Sequence, residues 1–292
     1  MAQSVATAPD PGQALRRSAP VILTALTFVA LFWQPMATLL RDWWTDPDAG
    51  HGLLLFPVAL YLGWRRGVRH DAGPMPLAGL AILTSAVVLR YLSGLAAELF
   101  TMRVSLFMGV AALIVFVYGT KQLVHWWLPL ALLVLSIPLP AVVIGTLALP
   151  LQFKASEFGA ALLEWRHVPV LLEGNVIRLP GQSLFVTEAC SGLRSLTALL
   201  ALGLLIGGVW LRSPAFRVLL VALTIPVAML VNGIRVFLTG FFVYYVDPRL
   251  AEGFMHYTEG WALFVMAFLV LGVAAWLLAR IENRGAAPEA LA

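Results

Sequence analysis

Residues 186–210 read VTEACSGLRSLTALLALGLLIGGVW, and they hold the only cysteine of the 292-residue chain. After Arg194 the stretch is almost wholly apolar, and this decides the solvent before anything else. A helix of about 20 apolar residues crosses roughly 30 Å of hydrocarbon. Runs of that character recur along the whole sequence. Hydrophobic residues make up 61% of the chain and charged residues 12%, about half the charge of an ordinary soluble domain. Such a chain cannot cover itself with polar side chains in water. The sequence therefore predicts an all-α polytopic membrane protein.

Measured outward from 186–210, the runs predict about eight transmembrane helices, near 20–40, 52–64, 77–94, 99–118, 123–140, 190–210, 217–243 and 258–279. Pro129, Pro138 and Pro140 interrupt the fifth, and the second is short. Trp43, Trp44, Trp126, Trp127 and Trp261 lie near span ends, as an interfacial aromatic belt requires. One integral membrane domain is expected over 20–281, between cytoplasmic tails at 1–19 and 282–292. The polar start of the chain predicts no cleavable signal peptide. Arg16/Arg17, Arg65/Arg66/Arg69, Lys121, Arg212/Arg217 and Arg280/Arg284 fall on one side if the spans alternate. That side is expected to be cytoplasmic, with both termini inside. The pI near 9.6 is thereby explained by membrane topology, and no nucleic-acid partner is expected.

The segment 141–189 differs from the rest and is expected to be an extracytoplasmic or interfacial insertion. PLQFKASEFGAALLEW (150–165) mixes Phe153, Leu162 and Trp165 with Lys154, Glu157 and Glu164, which suits an interfacial helix. VPVLLEGNVIRLPGQSLFVTEA (168–189) is rich in β-branched residues, punctuated by Gly174-Asn175 and Pro180-Gly181. Those dipeptides are turn chemistry, so a small β-like segment is expected before the cysteine, outside the hydrocarbon.

At 1.5 Å per residue, Cys190 to Arg212 is roughly 33 Å of helix, Arg217 to Arg235 roughly 27 Å and His256 to Arg280 roughly 36 Å. Three successive helices thus carry a Cys, an Arg and a His toward the same outer boundary, and nothing in the spacing fixes their azimuth. A lone membrane cysteine is ordinarily a small apolar filler. Here it precedes a helix whose N-terminal N–H groups favour an anion, with Ser191, Gly192 and Arg194 beside it. Arg235, in LVNGIRVFLTG, is costly in lipid and should face the bundle interior, with Asn232 one turn earlier. Near a thiolate it would stabilise the oxyanion of an acyl transfer; its plain alternative is a structural pair or an outward snorkel. His256, in EGFMHYTEG, suits proton return to a leaving amine, with Glu252 and Glu259 placed to orient it, or else is a polar end group. His125 and His167 read as interfacial filler, and His70 as a loop residue. No zinc-spaced ligand pair, phosphate loop or serine-hydrolase motif is present, so no metal and no cofactor is expected.

TEACSGLRSL (187–196), NGIRVFLTG (232–240) and the late His256 resemble the three motif regions of the exosortase/archaeosortase family. DWWTDPDAGHGLLLFPVALYLGWRR (42–66) resembles its first outer loop and second span. The resemblance implies a membrane-embedded, sortase-like cysteine transpeptidase that cleaves C-terminal sorting signals of exported proteins. Those signals combine a Pro-Glu-Pro motif, a hydrophobic span and a basic tail (the PEP-CTERM type). It implies Cys190 as nucleophile, Arg235 as transition-state stabiliser and His256 as proton donor, with Ser191, Gly192, Arg194 and Asn232 in support. His256, where archaeal relatives favour Arg, implies a bacterial exosortase of the inner membrane with its site facing the periplasm. The partners implied are a membrane-anchored protein substrate, an acceptor nucleophile and the lipid bilayer. Two other classes remain open on the residues alone: a polytopic transporter, and a non-catalytic scaffold of an exopolysaccharide or export system.

Overall fold

The computed structural model describes residues 11–46, 48–186, 193–246 and 254–285, which fold into helices and one small sheet. The chain divides into two compact units, residues 1–47 with 71–123 and residues 48–70 with 124–292.

In the first unit, α1 (Pro11–Leu31) begins well ahead of the apolar run and meets α2 (Trp33–Thr45) at a bend of 66°. Pro35 explains the break. It lacks the N–H that would reach Leu31, and its ring crowds that carbonyl, so the helix yields at Phe32. Residues 41–45 of the DWW segment therefore finish a helix, and Asp42 meets Arg103 on α5 (Leu99–Tyr118) at 2.6 Å. Arg103 is 3% exposed, so this ion pair is the reason an arginine is tolerated in that apolar helix. α4 (Pro76–Leu95) pairs with α5 along its length. A Cβ on Gly79 would lie 2.5 Å from Phe116 Cα, so the close approach of these helices depends on that glycine. Glu98 caps α5, accepting hydrogen bonds from the N–H groups of Phe100 and Thr101. The Thr101 hydroxyl bond, assisted by those amides, holds the Glu98 carboxyl below the usual glutamate range. α6 (Thr120–His125) then leads the chain into the second unit.

In the second unit, α3 (Gly52–Arg66) and α7 (Trp127–Leu135) lie antiparallel and are tied at both ends. At one end His51 bridges to the Leu135 carbonyl (3.2 Å). At the other, Arg66 donates to the His125 carbonyl (2.8 Å) and the Trp126 indole to the Gly67 carbonyl (3.0 Å). Pro129 leaves the His125 carbonyl without its helical N–H, and Arg66 replaces it. α8 (Ala141–Trp165), α9 (Leu193–Trp210) and α11 (Phe254–Gly285) all pack on α10 (Pro214–Tyr245). A close approach that depends on glycine in this unit is at Gly233 of the NGIR segment, where a Cβ would strike the Phe158 ring at 2.3 Å.

The expected β-like segment is an antiparallel sheet of β1 (Leu171–Glu173), β2 (Val176–Leu179) and β3 (Gln182–Phe185). Glu173 pairs with Val176 across Gly174-Asn175, and Leu179 with Gln182 across Pro180-Gly181. Gly174 (φ 64°) and Gly181 (φ 85°) take the left-handed conformation that each turn demands. Ile177 and Leu179 face inward onto Leu163 of α8 and Val236 and Val243 of α10, while Arg178 points out to Glu173 at 2.7 Å. The sheet thus sits at the C-terminal end of α10, and Arg217 and the α9–α10 turn lie at the other end.

Among the described residues, four helices are long and apolar enough to cross a membrane: Pro76–Leu95, Leu99–Tyr118, Pro214–Tyr245 and Trp261–Arg284. The bent pair α1–α2 makes a fifth if it is one span. The count of eight is therefore not reached by length and composition. The run 52–64 is a 15-residue helix containing Pro57, the run 123–140 is split between α6 and α7, and the run 190–210 gives the 18-residue α9.

Candidate active site

Arg235 and Asn232 lie one turn apart on α10, on the face turned to α9 and α11. With Leu199 of α9, Val231 of α10, and Leu263, Phe264 and Ala267 of α11, they line a cavity of about 20 Å³. That volume holds about one water molecule. Asn232 is 5% exposed, and the buried Nε of Arg235 makes no hydrogen bond, although the side chain has other polar contacts. The azimuth that spacing alone leaves open is thus given for Arg235: it faces the interior, between the three helices that carry the motif regions.

Cys190, Ser191, Gly192 and Glu252 lie outside the described residues. Arg194 falls in the first turn of α9, and His256 and Glu259 in the first turns of α11. Leu263 and Ala267 of α11 line the cavity. The cavity wall on α11 begins seven residues after position 256, about 10 Å farther along the axis. Side chains lean toward the N-terminus of their own helix, and α10 runs opposite to α9 and α11 in this bundle, which accounts for the deeper neighbours of Arg235.

Sequence reasoning passed over two residues that position the entry to this region. Asn175, in the β1–β2 turn, donates from Nδ2 to the Val186 carbonyl (3.2 Å) and to Gln152 Oε1 (3.3 Å). Its own carbonyl accepts from the Val186 N–H (2.9 Å). Gln152, on α8, is 4% exposed. The chain is therefore pinned at Val186, immediately before the segment that carries the cysteine. The Gly-Asn dipeptide signalled only a turn; the tie to Gln152 joins residues 23 positions apart and has no local sequence signal. His167, with φ 60°, ends α8, and the Val168 N–H returns to the Leu163 carbonyl (3.0 Å).

No group of three or more His, Cys, Asp or Glu side chains converges on a metal position among the described residues. No curated protein and no solved structure matches the chain. Residues 43–273 match the family described as transmembrane exosortase (Exosortase_EpsH), and that match takes in the segment from Trp43 to Arg66, the sheet, the cavity and all three motif regions. This multi-pass membrane chain belongs to the transmembrane exosortase family.

Proposed function

We propose that the chain is a cysteine transpeptidase that cleaves PEP-CTERM-type sorting signals from membrane-anchored exported proteins. The observation that carries this reading is the inward-facing Arg235, set with Asn232 in a cavity walled by the helices of all three motif regions. Family membership supports the reaction class.

In this mechanism the Cys190 thiolate attacks the carbonyl carbon of the scissile peptide bond. A C–S bond forms and negative charge moves to the carbonyl oxygen. Arg235, with N–H groups at the start of α9, stabilises that oxyanion. As it collapses, the C–N bond breaks, His256 gives its proton to the departing amine, and a thioester remains. An acceptor nucleophile attacks the thioester, transfers its proton to His256, and the C–S bond breaks to restore the thiolate. Arg194 keeps Cys190 ionised, Asn232 steadies Arg235, and Glu252 and Glu259 orient His256. Ser191 and Gly192 leave the backbone open to substrate.

The setting proposed is a bacterial inner membrane, with both termini cytoplasmic and the sheet end of the second unit facing the periplasm. Eight crossings then require α3, the broken α6–α7 segment and α9 to cross as short elements. In support, Arg66, Arg212, Arg217 and Arg284 gather at the end of the second unit opposite the sheet.

The test is co-expression with a tagged reporter bearing a Pro-Glu-Pro C-terminal signal, read by mass shift at matched enzyme abundance. Wild type should cleave it and Cys190→Ala should not. Arg235→Ala should lower the rate by about 10²–10³-fold, as loss of an oxyanion donor does. Cleavage by Cys190→Ala at the wild-type rate would remove the thiol mechanism and return the chain to the transporter and scaffold readings.

A further inference from the structure

The end of the second unit away from the sheet gathers two arginines on one aromatic ring. The guanidinium carbon of Arg66, the last residue of α3, lies 5.7 Å from the centre of the Trp127 ring, and that of Arg217, in the first turn of α10, lies 5.1 Å from it. Both arginines are half-buried. Sharing one ring keeps the two charges within about a Debye length of each other, where they repel. Each spends one nitrogen on a backbone carbonyl: Arg66 on His125 (2.8 Å), Arg217 on Leu211 (2.9 Å). Among the described residues, no carboxylate pairs with either. Glu282, which reaches this end from α11, is committed to the backbone N–H groups of Arg212 (3.0 Å) and Ser213. Exposed Arg65 and Arg212 add to the positive field, as does the N-terminus of α10.

The carbonyl bonds and the shared ring hold each arginine in place, and the repulsion between them is relieved when an opposite charge meets both. The site is also rigid. The N-terminus of α7 is clamped to α3 by the His125 and Trp126 bonds, and to α9 by Leu128, which lies where a Cβ on Gly208 would come within 2.5 Å of it. Exposed Trp64 and Trp210 mark the same end as interfacial. Planar guanidinium forks match phosphate oxygens two at a time, and basic clefts between membrane helices take anionic headgroups.

We propose that Arg66, Arg217 and Trp127 form a binding site for a phosphate group, of the kind carried by an anionic phospholipid headgroup at the membrane surface. The phosphate bridges the two guanidiniums, cancels their repulsion and links α3, α7 and α10. A zwitterionic headgroup is disfavoured because its own ammonium is repelled by the same cluster. The site lies roughly 27 Å of helix from Arg235 along α10 and is independent of the reaction assigned to that end.

The experiment uses the purified full chain, delipidated in neutral detergent, with thermal unfolding followed after addition of phosphatidylglycerol, phosphatidylcholine, inorganic phosphate or chloride at equal ionic strength. The midpoint should rise by about 3–6 °C with phosphatidylglycerol over phosphatidylcholine. Arg217→Gln should abolish that difference, and so should Arg66→Gln. The readout is the difference between two lipids for each variant, so a lower starting stability does not obscure it. A rise with inorganic phosphate equal to that with phosphatidylglycerol, lost in the same variants, assigns the site to free phosphate. Equal midpoints in all additions, or a phosphatidylglycerol effect that survives in both variants, would overturn the proposal.

Discussion

At the scale of single residues, the informative contacts are those in which a side chain replaces a backbone partner lost elsewhere. Arg66 completes the carbonyl orphaned by Pro129, and Asn175 holds both polar groups of Val186. Neither is legible from its own neighbourhood in the sequence, because each partner lies far along the chain. Arg235 is the opposite case. An arginine deep in an apolar helix must face inward, and Arg235 does. Asn175 allows a test of positioning as distinct from folding. Asn175→Asp keeps the shape but removes both donors and sets a carboxylate against the Val186 carbonyl, a cost of about 1–3 kcal/mol. If the tie aims the following segment, reporter cleavage per enzyme molecule should fall about 10-fold, beyond any loss that the lowered thermal midpoint and abundance account for. Substrate titration should place the loss in kcat. An unchanged kcat with reduced abundance would assign Asn175 to folding alone.

At the scale of elements, two helix breaks fall one turn ahead of a proline, while Pro20, Pro57, Pro150 and Pro226 lie inside continuous helices. Pro35 and Pro129 both act this way, at Phe32 and at Trp126. The prolines of 123–140 were visible in the sequence, so the weakness of that span was legible, while its division into two helices depended on Arg66 offering the substitute bond. Helix ends were less readable still. α4 and α8 both close with a left-handed residue that is not glycine, Ala97 at φ 52° and His167 at φ 60°. In each case the next N–H reaches back five residues, Glu98 to Ser93 (3.0 Å) and Val168 to Leu163 (3.0 Å). Without a glycine to mark it, such an end carries no signal in composition. The stored strain is measurable. His167→Gly should stabilise the chain by about 0.5–1 kcal/mol, read as a rise of roughly 1–4 °C in the thermal midpoint in detergent. His167→Ala, equally unsuited to that conformation, should give no gain. If both variants lose stability alike, the imidazole makes a contact worth more than the strain.

For the whole molecule, composition alone settled the solvent, and turn dipeptides settled where the three-stranded sheet lies. The division into two compact units was not legible, because the second draws α3 away from its sequence neighbours through side-chain bonds at both ends of α7. The number of full-length spans was not legible either, since an apolar run does not reveal how much of it stays helical. What the sequence and the fold agree on is polarity. In the second unit the sheet occupies one end, and Arg66, Arg217 and Glu282 the other. That polarity makes a direct prediction about the bilayer, and the single native thiol makes it easy to read. In a Cys190→Ser background, Ser183→Cys on exposed β3 and Arg284→Cys near the end of α11 each carry one reactive sulfur. A membrane-impermeant maleimide applied to intact spheroplasts should label the first and spare the second until the membrane is opened. Labelling of Arg284→Cys alone would invert the topology and place the sheet, and the Arg235 cavity nearest it, toward the cytoplasm, where an exported substrate never presents its signal. Equal labelling of both would mean that the segment from β3 to the end of α11 does not divide between the two sides, and the eight-crossing arrangement would fail with it.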